Sequence, residues 1–90
     1  MPLLSEAEIK GRLARLPGWQ RAGNQIQRTW TFADFTGSMA FVNRVAALAE
    51  AADHHPDIDI RYSRVTLALS THSAGGLTER DFDLAEAVGA

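Results

Sequence analysis

The sequence contains no cysteine, so disulfides, thiolate nucleophiles and Cys-ligated zinc are all excluded. Long apolar runs are missing as well. The longest strongly apolar stretch, Val45 to Ala49, falls far short of the roughly 20 residues that a spanning helix needs. No charged-then-apolar leader opens the chain, which makes a cytoplasmic location the expectation. Nor is there an excess of basic residues: nine Lys and Arg stand against eleven Asp and Glu, a formal net charge of -2. Phosphate binding calls for a clustered basic footprint, so neither nucleic acid nor membrane is an expected partner. The densest basic group, Lys10, Arg12 and Arg15, alternates with Ile9, Leu13 and Leu16 and reads as the wet face of a helix. Low-complexity segments, linkers and repeats are absent.

What remains is the composition of a folded chain, 46% hydrophobic and 22% charged over 90 residues. A single domain spanning residues 1–90 is expected, because halves of that length would be too small to hold separate cores. A domain of this size buries only about 60–65% of its unfolded surface. A partner subunit completing the core, as a homodimer or homotetramer, is consistent with that shortfall.

Ser5 and Glu8 form a capping box, with Leu4 and Ile9 as its staple. The helix they open is predicted to reach about Leu16, with Ile9, Leu13 and Leu16 inward, and to stop at Pro17-Gly18. Gly23-Asn24 separates Trp19-Gln20-Arg21 from Ile26–Phe32, which predicts a hairpin with Ile26, Arg28, Trp30 and Phe32 on one strand face. Asp34 or Thr36 opens a longer helix ending at about Asp53. It carries two apolar rows: Met39, Val42, Ala46 and Ala49, then Phe41, Val45, Leu48 and Ala52. Pro56 closes it, since the residue before a proline is pushed out of the helical region. Ile58, Ile60 and Tyr62 alternate with polar neighbours, as do Val65, Leu67 and Leu69, which predicts two strands joined at Ser63-Arg64. After the Ala74-Gly75-Gly76 loop, Thr78 caps a last helix, with Leu77 and Phe82 as staple and Asp81 at its third position. The order is helix-strand-strand-helix-strand-strand-helix. An α+β fold follows, a single antiparallel sheet with the helices packed on one face.

The candidate chemistry is concentrated between Glu50 and Asp81, where all three histidines fall. Glu50 and His54 are four apart, so a helix stacks them, and the carboxylate can accept the imidazole N–H and fix its tautomer. His54 and His55 sit at a helix C-terminus, whose free carbonyls favour the protonated ring, a candidate general acid. Asp53 is out of place there, because a carboxylate near a helix C-terminus is mildly disfavoured. Pro56 holds His55 extended, letting the two rings flare apart. His72 follows the last strand and shares a face with Ser70 if the alternation continues. Plainer roles fit the same residues: Asp81 as a helix cap, Glu50 as a solvated residue, His54 and His55 as C-terminal capping cations. A His-ligated zinc hydrolase is an alternative, but His-Glu-x-x-His and His-x-His spacings are absent. No metal and no other cofactor is therefore expected.

The ordered set Glu50, His54-His55-Pro56, Tyr62, His72 and Asp81 resembles the signature of pterin-4a-carbinolamine dehydratases. Leu48–Pro56 resembles that family's helix-ending Asp-His-His-Pro stretch. Leu69–His72 followed by Gly76–Asp81 resembles its second half, and a looser likeness runs from about Leu16 to Val88. The resemblance implies a four-stranded antiparallel sheet with three helices on one side. It also implies dehydration of 4a-hydroxytetrahydropterin to quinonoid dihydropterin, in support of tetrahydropterin recycling. By position it makes His54 and His72 the acid–base residues, His55 a ligand-holding one, and Glu50 and Asp81 supporting carboxylates. Asp53, Pro56, Thr71 and Ser73 would flank the ligand. Members of the family are also dimerisation partners of a homeodomain transcription factor, so a non-catalytic interaction module is the other alternative.

Overall fold

Ser5 starts the first helix as the capping box predicts. Glu8 N–H donates to Ser5 Oγ at 3.2 Å, and Ser5 N–H donates to Glu8 Oε1 at 2.9 Å. In this computed structural model, which describes residues 2–89, helix α1 is Glu6–Leu13. It ends before Leu16 because the chain tightens ahead of Pro17: Arg15 N–H reaches Arg12 O and Leu16 N–H reaches Leu13 O, both three residues back. Ile9 and Leu16 are nevertheless buried, and Leu13 is half-buried.

Strands β1 (Gln20–Ala22) and β2 (Gln25–Thr31) form the expected hairpin, with Ala22 opposite Gln25 across Gly23-Asn24. Gly23 takes a φ of 62°, the left-handed region that a tight hairpin turn needs and that glycine enters without a Cβ clash. Asp34 is the N-cap of helix α2 (Phe35–Ala52), its Oδ1 accepting Gly37 N–H at 2.9 Å. Strands β3 (Asp57–Arg61) and β4 (Arg64–Leu69) follow. Their turn is Tyr62-Ser63, one residue earlier than predicted, because Arg61 pairs with Arg64 within the ladder. Tyr62 adopts φ 52° and is held by its carbonyl, which accepts from the buried Ser38 hydroxyl at 2.6 Å. Helix α3 is Glu79–Val88.

The four strands form one antiparallel sheet in the order β1-β2-β4-β3. Register places Ile26 opposite Leu69 and Trp30 opposite Val65 on one face. That face meets Phe41, Val42, Val45 and Ala49 of α2 and Phe82, Leu84 and Ala85 of α3 in a single core. The other face is polar, with Thr29 and Thr66 hydroxyls bonded at 2.8 Å. The expected α+β fold, with its element order and its three helices against one sheet face, is therefore present. The buried stripe of α2 is narrower than two full rows, since Ala46 and Ala52 are exposed; a helix lying on a sheet hides only one side.

Arg12 departs from its expected wet face. Its side chain is 15% exposed, lies over the Phe82 ring, and reaches Glu79, Asp83 and Glu86, fastening α1 to α3. Desolvation pulls its pKa down, but the hydrogen bonds it donates to Asp83, Glu86 and Glu79 outweigh that and raise it above the ordinary guanidinium value. Among the described residues, no helix is long and apolar enough to cross a membrane.

Candidate active site

The site begins at the end of α2, where Asp53 takes the left-handed conformation (φ 51°, ψ 43°). Asp53 N–H donates to Glu50 O at 3.2 Å and His54 N–H to Ala49 O at 3.1 Å, the paired bonds of a Schellman motif with Asp53 at C′. That position explains the misplaced carboxylate: short polar side chains tolerate positive φ better than most. It also overturns one expected pairing. Because the helix stops at Ala52 and the chain reverses its twist at Asp53, His54 no longer stacks on Glu50. His54 turns inward, 8% exposed, and its Nε2 lies 2.6 Å from Asp81 Oδ1. The exposed His55 takes Glu50 instead, with Nε2 2.7 Å from Oε1. The two rings flare apart as Pro56 leads one to expect.

Asp81 is fully buried and serves two elements. Its Oδ2 accepts Thr78 N–H at 2.9 Å, closing the cap of α3, and also accepts the Thr71 hydroxyl at 2.9 Å. Its Oδ1 holds His54. The capping role and the histidine-supporting role, alternatives from sequence, coexist on opposite oxygens. Thr71 and Thr78 hydroxyls are bonded to each other at 2.7 Å, so the Thr71 hydroxyl faces this buried network.

His72 does not continue the strand alternation, since β4 ends at Leu69. Thr71 forms an isolated bridge with Gly76, and His72–Ala74 make one 3-10 turn closed by Gly75 at φ 79°. The turn keeps His72 at the surface beside the end of α2. One open cavity of about 280 Å³ is lined by Asp53, His54, His55, Ser70, Thr71, His72, Ser73 and Arg80. All three histidines thus share it, drawn from the end of α2 and the β4–α3 connection. Of the other expected residues, Asp81 stands behind His54 and Glu50 holds His55 from outside. Pro56 is not among the lining residues.

Sequence reasoning missed Ser70 and Arg80. Ser70 does carry a signal, since strand alternation puts it on the face expected of His72. Arg80 carried none beyond lying next to Asp81; the second position of α3 turns it toward the cavity. A smaller, mainly apolar hollow between α2 and α3, of about 170 Å³, shares His54 and Arg80 and adds Asp83 with the apolar Leu48, Ala52, Leu84 and Ala87. Among the described residues, no group of three or more His, Asp or Glu is arranged to hold a metal ion. The arrangement can hold a small polar ring among imidazoles, two of them backed by carboxylates, and exchange protons with it.

Comparison with known proteins points the same way. Residues 2–90 match the family described as pterin 4 alpha carbinolamine dehydratase. A Chloroflexus aurantiacus protein, provisionally named a pterin-4-alpha-carbinolamine dehydratase, is 62% identical over 88 residues, covering 98% of this chain and 95% of the relative. A protein of Acidobacterium capsulatum with the same provisional name is 58% identical, covering 98% and 96%. A crystal structure described as a transcriptional coactivator/pterin dehydratase from Brucella melitensis superposes with a TM-score of 0.91 at 38% identity, over 96% of this chain and 94% of that one. A pterin dehydratase-like protein identified as a RuBisCO assembly factor in the alpha-carboxysome matches at TM-score 0.63 and 24% identity, over 78% and 81% of the two chains, a likeness of fold alone.

Proposed function

The chain belongs to the pterin 4 alpha carbinolamine dehydratase family, and from that premise we propose that it removes water from 4a-hydroxytetrahydropterin by histidine acid–base catalysis. The observation that carries this reading is the convergence of His54, His55 and His72 on one cavity. In the reaction the bond between C4a and its hydroxyl oxygen breaks. The lone pair of the adjacent ring nitrogen forms a double bond to C4a, that nitrogen gives up its proton, and the hydroxyl leaves as water. Hydroxide is a poor leaving group, so a donor must protonate it while an acceptor takes the ring proton. Imidazole serves either role near neutrality. His54 and His72 are the acid–base pair in this reading. His55, braced by Glu50, holds the ring, and Asp81 positions His54. Asp53, Thr71 and Ser73 shape the edge of the site, and Pro56 acts from behind it by keeping His55 extended. The product would be quinonoid dihydropterin, so the step serves tetrahydropterin recycling.

We expect His72→Ala and His55→Ala to fold normally, because both side chains are exposed, and to lose dehydration by on the order of 10²–10⁴-fold. The check is a direct assay with freshly generated 4a-hydroxytetrahydropterin, with circular dichroism to verify folding. Near wild-type turnover in folded His72→Ala would overturn the assignment of roles.

The same reading includes one domain per chain and self-association. Ile58 and Ile60 point to the helix side of the sheet but, on an edge strand, stay 37% exposed. Pairing such an edge with a second copy would cover them. Light scattering of the purified protein tests this: a monomer at micromolar concentration would remove self-association from the proposal.

A further inference from the structure

Behind the cavity lies a chain of hydrogen bonds whose direction can be worked out group by group. Asp81 Oδ2 sits 2.9 Å from Thr78 N, and an amide N–H can only donate, so Oδ2 accepts there. The Thr71 hydroxyl donates its single proton to the same oxygen. Having spent that proton, Thr71 Oγ1 can only accept from Thr78 Oγ1 at 2.7 Å. Thr78 Oγ1 in turn accepts Arg80 N–H at 3.3 Å. Every link points one way, from Arg80 N–H through Thr78 and Thr71 to Asp81. Thr71, Thr78 and Asp81 are all buried, two of them fully, so water does not compete for these bonds.

The outlet is Asp81 Oδ1, 2.6 Å from His54 Nε2. A carboxylate already fed two donors on its other oxygen is held as an acceptor, and the proton of this contact then belongs to Nε2. The other ring nitrogen, Nδ1, makes no hydrogen bond among the described residues and is not sealed from solvent. His54 also lines the cavity. We propose that Thr78 and Thr71 are positioning residues that fix His54 as its Nε2–H tautomer, so that Nδ1 is the nitrogen that exchanges a proton with the ligand. In a turnover the proton moves on and off Nδ1 while Nε2–H stays with Asp81. This rests on the dehydratase reading for the identity of the ligand, but not for the tautomer itself.

The test is long-range 1H–15N correlation of the histidine rings, at a pH where they are neutral and without substrate, alongside the dehydration assay. Wild type is expected to show His54 protonated at Nε2 alone; an Nδ1–H tautomer would overturn the proposal without any variant. Thr71→Val is isosteric and leaves the Thr78 cap of α3 in place. It should give mixed tautomers and on the order of tenfold lower kcat with KM little changed, as expected for a misaimed group. Thr78→Val should match it, and Thr78→Ser, which keeps the hydroxyl, should restore the wild-type spectrum. A folded Thr71→Val protein with an unchanged His54 spectrum and unchanged kcat would overturn the relay. A spectrum that behaves as expected in a protein without dehydration would uphold the relay and remove the dehydratase reading.

Discussion

Asp53 is the residue on which the aim of two imidazoles turns. At φ 51° it occupies a region where a side chain meets its own backbone carbonyl, at a cost of roughly 1–2 kcal/mol for most L residues. Asp is among the better tolerated, Gly better still, and β-branched residues worst. Asp53→Val should therefore lower stability by about 1–2 kcal/mol and reduce turnover as well, because the reversal that separates His54 from His55 is strained. Asp53→Gly should stay within about 1 kcal/mol of wild type, since the lost Cβ clash is offset by a more flexible unfolded chain. Urea denaturation of both variants measures the difference; equal stability of Val and Gly at this position would show that the left-handed turn is not maintained. The sequence already marked Asp53 as anomalous for a helix C-terminus. What it did not carry was the sign of its φ, and that sign decides whether Glu50 meets His54 or His55.

At the scale of elements, caps were legible and registers less so. Ser5 with Glu8 and Thr78 with Asp81 each open the helix that their spacing predicts, and of the two candidates Asp34 and Thr36 it is Asp34 that caps the middle helix, because an N-cap is a local bargain between a side chain and nearby amides. The β3–β4 turn shifted by one residue because it is decided by the ladder pairing of Arg61 with Arg64 and by the Ser38 hydroxyl, the latter far away in sequence. His72 left the strand alternation for a similar reason, as the Thr71–Gly76 bridge closes a turn that periodicity does not encode. The first helix offers a pH test. The Ser5 amide and then its hydroxyl hold the Glu8 carboxyl below the usual carboxylate range, and a hydrogen bond from Arg21 does the same for Glu6. Groups with depressed folded values contribute stability above their unfolded pKa and lose it as pH falls through the folded value. The drop in melting temperature from neutral pH to below the ordinary carboxylate range should accordingly be smaller in Glu8→Ala than in wild type. An identical drop would show that the capping carboxylate contributes nothing to acid sensitivity.

For the whole molecule, Arg12 is the contact that ties the first helix to the last. Its three carboxylate partners are half or more exposed, and solvent screening limits such pairs to about 0–1 kcal/mol each. Arg12→Met should consequently cost on the order of 1 kcal/mol, part of it lost packing over Phe82, and the deficit should shrink in high salt. Arg12→Lys should recover little, because one ammonium cannot span three carboxylates as a guanidinium does. Chemical denaturation in low and high salt checks both. This tie was hidden in the sequence: residue 12 alternates with apolar neighbours as a solvent-facing residue would, and only the approach of α3 makes it internal.

One consequence follows from the double duty of Asp81. A single carboxyl both starts the last helix and steadies an imidazole, so these two tasks cannot be tuned apart. Lengthening the side chain to Glu would shift both partners at once, and Asn would surrender the charge that each of them draws on. Warming should therefore blunt the chemistry as soon as the first turn of that helix begins to loosen, ahead of the cooperative loss of the sheet, making turnover an early gauge of fraying at one helix end.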